Sequence, residues 1–223
     1  MADQKGRQYI ASLERLRASR ESRFQTRLNL FFDGVASSAA NAFRSGGNVV
    51  AAVGAHNARL GDILLPLYLE TGGGIQASLA AFYGYRALPN PDPLINIAGN
   101  RIGGVNMETK RLVQEVLRRG LTEDATSREI QKQLREVLKS PARAKTITRT
   151  ELASFTNQAQ TEVMRLNGEG YVEALDADDC GWDGHDDSLL ANGRVVSIEE
   201  ANSQPISHPN CVRAYTPTAR SVA

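Results

Sequence analysis

Both cysteines and two of the three histidines of this 223-residue chain lie in its last quarter. Cys180 precedes His185 with four residues between them, and His208 precedes Cys211 with two. Thiolates and imidazoles are ligands that zinc prefers, and structural zinc sites are commonly built from two such short segments. The spacing therefore predicts two half-sites of a tetrahedral zinc knuckle: a first half-site with Cys180 and His185, and a second with His208 and Cys211.

The composition limits the classes of protein that the chain can form. Its length suffices for one large domain or two small ones, and 41% hydrophobic with only 6% aromatic residues predicts a core of aliphatic side chains on helices. The apolar runs are too short to span a membrane, and the first residues contain no apolar signal segment. We therefore expect synthesis in the cytoplasm, where two cysteines serve as metal ligands or buried thiols.

Charge is distributed unevenly along the chain. Residues 1–168 carry 23 Lys and Arg against 15 Asp and Glu, whereas residues 169–200 carry one arginine against ten acids. This change at Asn167-Gly168 is the clearest predicted boundary. Because an acidic surface repels the nucleic-acid backbone, we expect any contact with DNA or RNA to involve the basic body and not the acidic segment.

Residues 1–87 are expected to form an N-terminal helical region. Apolar residues recur three and four positions apart from Gln8 to about Arg44, and Gly46-Gly47 should end that helix. Pro66 and the glycines at 72–74 should kink or break the helices that follow, and no phosphate-loop motif follows these glycines. His56 is interpreted as a packing or surface histidine. Arginines expected to lie on solvated faces are Arg7, Arg15, Arg17, Arg23 and Arg27.

Residues 88–105 are rich in proline and glycine, which predicts an extended connection to a second helical part at 106–168. We expect Asn106 to cap the first helix of that part. Thr126 and Glu129 form a capping box for the next helix, and Ser140-Pro141 start a third that runs to Asn167-Gly168.

The third helix contains one conflict with the helical hydrophobic pattern. Glu151 falls within an apolar stripe formed by Ile147, Phe155, Ala159 and Val163. A carboxylate on such a face needs a partner. We favour an internal ion pair or hydrogen bond to another element over a catalytic role, since no second acid or nucleophile lies beside Glu151 at helical spacing.

The periodicity changes after Gly170. The patterns at 171–175 and 193–198 predict two short strands. We expect each half-site to lie at a turn next to a strand. Pro209 should pre-set the tight turn that carries Cys211. The predicted fold is therefore mainly α, a helical body followed by a small C-terminal β-hairpin and zinc-knuckle module at 169–223, and α+β overall.

The C-terminal half resembles the phage Mu F-like minor head proteins, also called phage head morphogenesis proteins. The likeness covers roughly residues 106–217. It rests on Arg149-Thr-Glu151 in a helix, an acidic strand exit into Cys180, and the string His208-Pro-Asn-Cys211-Val-Arg213. The order of capped helices, strand pair and terminal His-Pro-x-Cys agrees with the family.

The chain also departs from the family pattern. Members usually carry Cys-x-x-Cys, and Asp183 stands where the second cysteine would be; Val212-Arg213-Ala214 replaces the usual Arg-Cys after the final motif. We expect His185 to replace the missing cysteine, so that Cys180, His185, His208 and Cys211 bind the zinc, with Asp183 as the alternative fourth ligand. Arg149 and Glu151 are then structural, and Trp182 should pack over the site.

The resemblance implies a virion component of a tailed phage, located inside the head near the portal, which aids head assembly and DNA packaging or ejection. The implied cofactor is structural zinc. The implied partners are the portal or major capsid protein, and packaged DNA through the basic helical body, with no membrane.

Three alternatives remain open at this point. His185, Asp186 and Asp187 could activate water in a metal-dependent enzyme of the nuclease or hydrolase type. The basic segment could belong to a nucleic-acid-binding zinc protein of a host. Without a metal, Cys180 and Cys211 could form a disulfide in oxidising surroundings.

Overall fold

The computed structural model describes residues 4–175 and 193–218, which form a mainly helical fold with one small antiparallel sheet. The predicted fold class is confirmed. No helix in the described residues is long and apolar enough to span a membrane. The helices are α1 Gln4–Arg44, α2 Val49–Gly54, α3 Asn57–Tyr83, α4 Asp92–Thr122, α5 Ser127–Leu138, α6 Pro141–Leu166 and α7 Ile198–Ser203, and the strands are β1 Tyr171–Leu175, β2 Arg194–Ser197 and β3 Ala214–Pro217.

Helix α1 lies at the centre of the helical body and contacts α2, α3, α5 and α6. Its apolar residues, spaced by three and four, are buried and belong to a hydrophobic cluster that extends from Tyr9 to Tyr215. Aromatic rings from three helices are in contact within this cluster. The ring of Tyr68 in α3 lies 5.0 Å from that of Phe24 in α1 and 4.7 Å from that of Phe155 in α6.

Local signals in the sequence set several helix ends as predicted. The capping box before α5 is formed, because Thr126 accepts from the N–H of Glu129 while the Glu129 carboxylate accepts from the N–H of Thr126. Ser140 caps α6, with Pro141 as its first residue. Gly46, at φ +69°, lies just beyond the end of α1.

Of the kink or break expected at Pro66 and at residues 72–74, a break is wrong, because α3 continues through Pro66 and all three glycines. The glycines permit close helix packing instead. A Cβ atom at Gly72 would lie 2.6 Å from Leu94 Cδ1 of α4, and one at Gly74 would lie 2.8 Å from Leu16 Cδ1 of α1. Gly73 has no such neighbour within 4 Å.

The expected connection at 88–105 is wrong from Asp92 onwards, and so is the cap at Asn106. Helix α4 runs through both, so that only residues 84–91 leave the helical conformation here. The helix forms because Leu94, Ala98, Ile102 and Val105 make a buried face at spacings of four and three. This apolar face outweighs the low helix propensity of the prolines and glycines beside it.

The sheet has the strand order β2-β1-β3, with both pairs antiparallel. Tyr171 pairs with Ser197, and Leu175 pairs with Ala214. Val172, Ala174 and Val196 are buried, which places one face of the sheet in the core. The two predicted strands are confirmed, while α7 and β3 were not predicted.

The glycines of α3 allow a test of this packing. We expect Gly73→Ala to stabilise the protein by about 1 kcal/mol, because alanine favours a helix interior over glycine and the new methyl group meets no atom. Gly72→Ala should lack this gain and be less stable than Gly73→Ala by more than about 1 kcal/mol, because the buried Leu94 must move. Urea unfolding of both variants measures the difference, and equal stabilisation of the two would contradict the close packing of α3 on α4.

Candidate functional site

The second half-site, His208 and Cys211, lies in a tight four-residue turn. The N–H of Cys211 donates to the carbonyl oxygen of His208 at 3.1 Å and closes the turn. Pro209 occupies its second position and Asn210 its third, at φ +63°, which is typical of a type II turn because asparagine tolerates the left-handed region. The turn predicted from Pro209 is confirmed.

Both side chains have surroundings that fit a metal ligand. Nδ1 of His208 lies 2.9 Å from the carbonyl oxygen of Pro209. Because that oxygen only accepts, Nδ1 is the donor in this contact, which leaves Nε2 as the ring nitrogen that can bind a metal, an arrangement common among metal-binding histidines. Cys211 is buried, and its sulfur accepts a hydrogen bond from the N–H of Arg213 at 3.5 Å, which a zinc-bound thiolate can also do.

The sheet brings the second half-site to the end of β1. Leu175, the last residue of β1, pairs with Ala214, which follows Cys211 by three positions. On the other side of β1, the N–H of Gly193 donates to the carbonyl oxygen of Ala174 at 3.0 Å. Residues 175 and 193, which flank the first half-site in the sequence, therefore lie at the same end of the sheet as the turn that carries Cys211.

The other predicted site residues, Cys180, Trp182, Asp183 and His185, lie outside the described residues. Within 4–175 and 193–218, no three His, Cys, Asp or Glu side chains come together as a metal site. A four-ligand site at His208 and Cys211 would thus take its other ligands from outside these ranges, as the predicted pairing with Cys180 and His185 does.

A buried amide holds the segment around the second half-site. Asn157 of α6 is fully buried, and its Nδ2 donates to the carbonyl oxygens of Pro205 and Arg213, which lie on either side of the turn. Its Oδ1 accepts from Nη2 of Arg17 at 2.7 Å and from Nε2 of Gln160 at 3.2 Å. Both donors and both lone pairs of the amide are therefore used.

Arg17 of α1 adds a second contact to the same segment. Its guanidinium donates to the carbonyl oxygens of Arg213, at 3.1 Å, and Val212, at 3.4 Å. Burial lowers the pKa of Arg17 to about 10, while electrostatic interactions with Tyr9, Cys211 and Glu14 act in the opposite direction. The expectation that Arg17 lies on a solvated face is wrong, because the 205–213 segment covers it.

Sequence patterns gave only a weak signal for these residues. Tyr9, which donates to Oε1 of Gln160 at 3.0 Å, appeared simply as part of the apolar stripe of α1. The mostly polar run from Thr156 to Thr161 lies within the apolar pattern of α6, and four of its polar residues are fully buried. A run of polar residues on a buried helical face was the signal that could have identified the network.

Three consecutive residues of α6 contact three different parts of the fold. Nε of Arg149 lies 2.8 Å from Oε1 of Glu21 in α1. Oγ1 of Thr150 accepts from the N–H of Asn210 at 3.2 Å, directly in the half-site turn. Glu151 extends to Arg101 of α4, with Nε and Oε2 3.3 Å apart. The ion pair predicted for Glu151 is confirmed.

A cavity of about 500 Å³ lies between α1, α6 and the half-site turn. Arg17 and Arg149 line it together with Glu14, Glu21 and Cys211. The buried Cys211 thus shares this cavity with two guanidinium groups, one of which, Arg149, is already paired with Glu21.

The Glu151 carboxyl group is buried among three helices. Its side chain is 14% exposed, and burial raises its pKa to about 7, against the lowering effects of Arg101 and of the Tyr68 hydroxyl group. Arg101 and Tyr68 are the groups that act on it from α4 and α3. These contacts, which join α6 to α4 and α3, fit a structural role for Glu151.

We expect Glu151 to make stability depend on pH. Its folded pKa of about 7 exceeds the ordinary 4.5, so the folded state is progressively disfavoured as the pH rises from about 4.5 through 7. The pKa shift corresponds to a loss of about 3 kcal/mol in the free energy of unfolding at pH 8. In the Glu151→Gln variant the free energy of unfolding should not decline in this way. Urea unfolding at several pH values between 5 and 8 gives the slope of this free energy against pH, which is compared between the variant and the wild type.

Glu108→Gln is the control for that experiment. Arg111 holds the pKa of Glu108 below its usual value, so Glu108 is ionised in both the folded and unfolded chains throughout this range. The control should therefore keep the slope of the wild type. Identical slopes for Glu151→Gln and the wild type would contradict the effect of burial on Glu151.

Comparisons with known proteins do not assign the chain to a family. No protein-family model matches it, no curated protein matches it, and no solved structure matches its fold. The likeness to the Mu F-like minor head proteins therefore remains a prediction that rests on the residues named above.

Proposed function

We propose that the chain is a structural minor head protein of a tailed phage, located inside the head near the portal, with a zinc knuckle in its C-terminal module. One observation carries the proposal. The His208–Cys211 turn and both residues that flank the 176–192 segment lie at the same end of a three-stranded sheet. Together with the Arg149-Thr150-Glu151 helix, this agrees with the order of features that the resemblance implies.

The described residues fit a structural zinc ion. The turn offers an imidazole whose Nε2 can bind a metal and a sulfur with an N–H donor beside it. Cys180 and His185, or Asp183 in place of His185, would complete the tetrahedral set. Zinc bound in this way contributes roughly 10–16 kcal/mol of apparent binding free energy to small modules, enough to fold a segment with few large apolar side chains.

The distribution of charge supports two kinds of partner. The acidic segment would repel DNA and therefore favours a protein partner. We propose the portal or the major capsid protein as that partner. Several arginines of the basic body already pair internally, such as Arg20 and Arg23 with Glu70. Exposed arginines of the basic body are proposed to tolerate or contact packaged DNA. The proposal includes no catalytic role and no membrane contact.

The zinc knuckle is tested by metal analysis of protein purified without added metal. We expect about one zinc ion per chain, with both thiols unreactive until a chelator is added. Cys211→Ser and His208→Ala should each lose most of the zinc. His56→Ala is the matched control and should keep it, because His56 bonds Ser38 Oγ at 2.8 Å and packs against Phe31, away from the half-site.

Circular dichroism of the same variants separates loss of metal from loss of fold. The helical signal should persist in His208→Ala, because His208 lies on a turn outside the helical body. Wild-type protein with no metal and two freely reactive thiols would contradict the zinc knuckle.

The role in the head is tested separately, in the strain that carries the gene. After induction, DNA-filled particles are purified on a density gradient, and the chain is quantified by mass spectrometry. We expect a few copies per particle, protected from protease until the capsid is opened. Absence of the chain from purified particles, or its digestion on intact particles, would contradict a location inside the head.

A further inference from the structure

We propose that Arg17 and Asn157 are positioning residues for the second half-site, which they hold in the conformation that binds metal. The inference rests on the proposed zinc knuckle and assigns to the helical body a direct part in metal affinity. Neither residue supplies a ligand. Both act through the backbone of the segment that carries His208 and Cys211.

The contacts of Asn157 bracket the half-site. Its Nδ2 donates to Pro205, three positions before His208, and to Arg213, two positions after Cys211. One side chain thus fixes both ends of a nine-residue segment relative to α6. The N–H of Asn210, between the two ligands, is held in addition by Thr150.

The orientation of the Asn157 amide is determined by its other neighbours. Arg17 Nη2 and Gln160 Nε2 are both donors, and both point at the same atom, Oδ1. A flipped amide would place its NH2 group against these two donors and its oxygen against two carbonyl oxygens. Gln160 is itself fixed by the hydroxyl group of Tyr9, and all three of Tyr9, Asn157 and Gln160 are fully buried.

Arg17 contributes both geometry and charge. Its guanidinium reaches the carbonyl oxygens of Val212 and Arg213, directly after Cys211. It also lines the same cavity as Cys211. A metal-bound thiolate carries negative charge, and a guanidinium group held beside it compensates that charge, whereas a neutral side chain would not.

Hydrogen bonds that orient metal ligands typically change metal affinity by 10- to 100-fold when removed. We expect Asn157→Asp and Arg17→Met each to weaken zinc binding on the order of 10–100-fold. Asn157→Asp places a carboxylate oxygen against two carbonyl oxygens, and Arg17→Met removes three hydrogen bonds and a positive charge. Arg17→Lys should restore part of the affinity, since it keeps the charge but not the forked geometry. Arg15→Met, at an exposed position of the same helix, is the matched control.

The experiment uses the full chain with zinc and, separately, cobalt(II). Zinc affinity is measured by competition with a chromophoric chelator, and the cobalt spectrum reports the geometry at the thiolate. The Asn157 and Arg17 variants should bind zinc more weakly and give a shifted cobalt spectrum, while Arg15→Met matches the wild type. A merely structural role would lower the melting temperature but leave the affinity and spectrum of the folded protein unchanged.

The outcomes separate this inference from the proposed function. If the wild type binds no zinc, the zinc knuckle and the positioning role fail together. If the wild type binds zinc, and the folded Arg17 variants bind it equally well with the same cobalt spectrum, the positioning role alone is overturned. Arg17→Met and Arg17→Lys suffice for this decision even if Asn157→Asp does not fold.

Discussion

The side-chain amide of Asn157 has two donors and two lone pairs, and each of them has a partner inside the core. A buried polar group left without a hydrogen bond costs about 1–3 kcal/mol, so an amide with four partners tolerates only one arrangement of the elements around it. Those elements are α1, α6 and the segment from Pro205 to Arg213. The register of β3, which starts at Ala214, and hence of the sheet, follows from this constraint.

The same constraint explains why a chain with few aromatic residues orders its C-terminal part at all. The sheet has short strands and buries few large side chains apart from Tyr215, so hydrophobic packing alone specifies its position weakly. Polar contacts from Asn157, Arg17 and Thr150 specify the position of the C-terminal segment, which apolar packing specifies only weakly. Contacts from the helical body therefore determine where the His208–Cys211 turn lies.

Features with local causes could be predicted from the sequence, and those with distant causes could not. The capping box at Thr126, the start of α6 at Ser140 and the turn at Pro209 each depend on residues within three or four positions, and all three are present. The first part of helix α4, before Asn106, was missed because its glycines and prolines are local signals for a loop, while its apolar face packs on α3, which is distant in the sequence. Arg17 was expected to lie on a solvated face because the segment that covers it lies almost 200 residues away in the chain.

Arg149, Thr150 and Glu151 show how three consecutive residues can join three parts of a fold. Successive helical residues point about 100° apart, so three in a row address three different neighbours, here α1, the half-site turn and α4. Each contact needs a different chemistry: a long cation for Glu21, a short acceptor for an N–H group, and an anion for Arg101. The anion is the costly member, because burial raises the pKa of Glu151 to about 7. The ion pair that this carboxylate makes with Arg101 joins α6 to α4, which accounts for an acidic residue at a buried position.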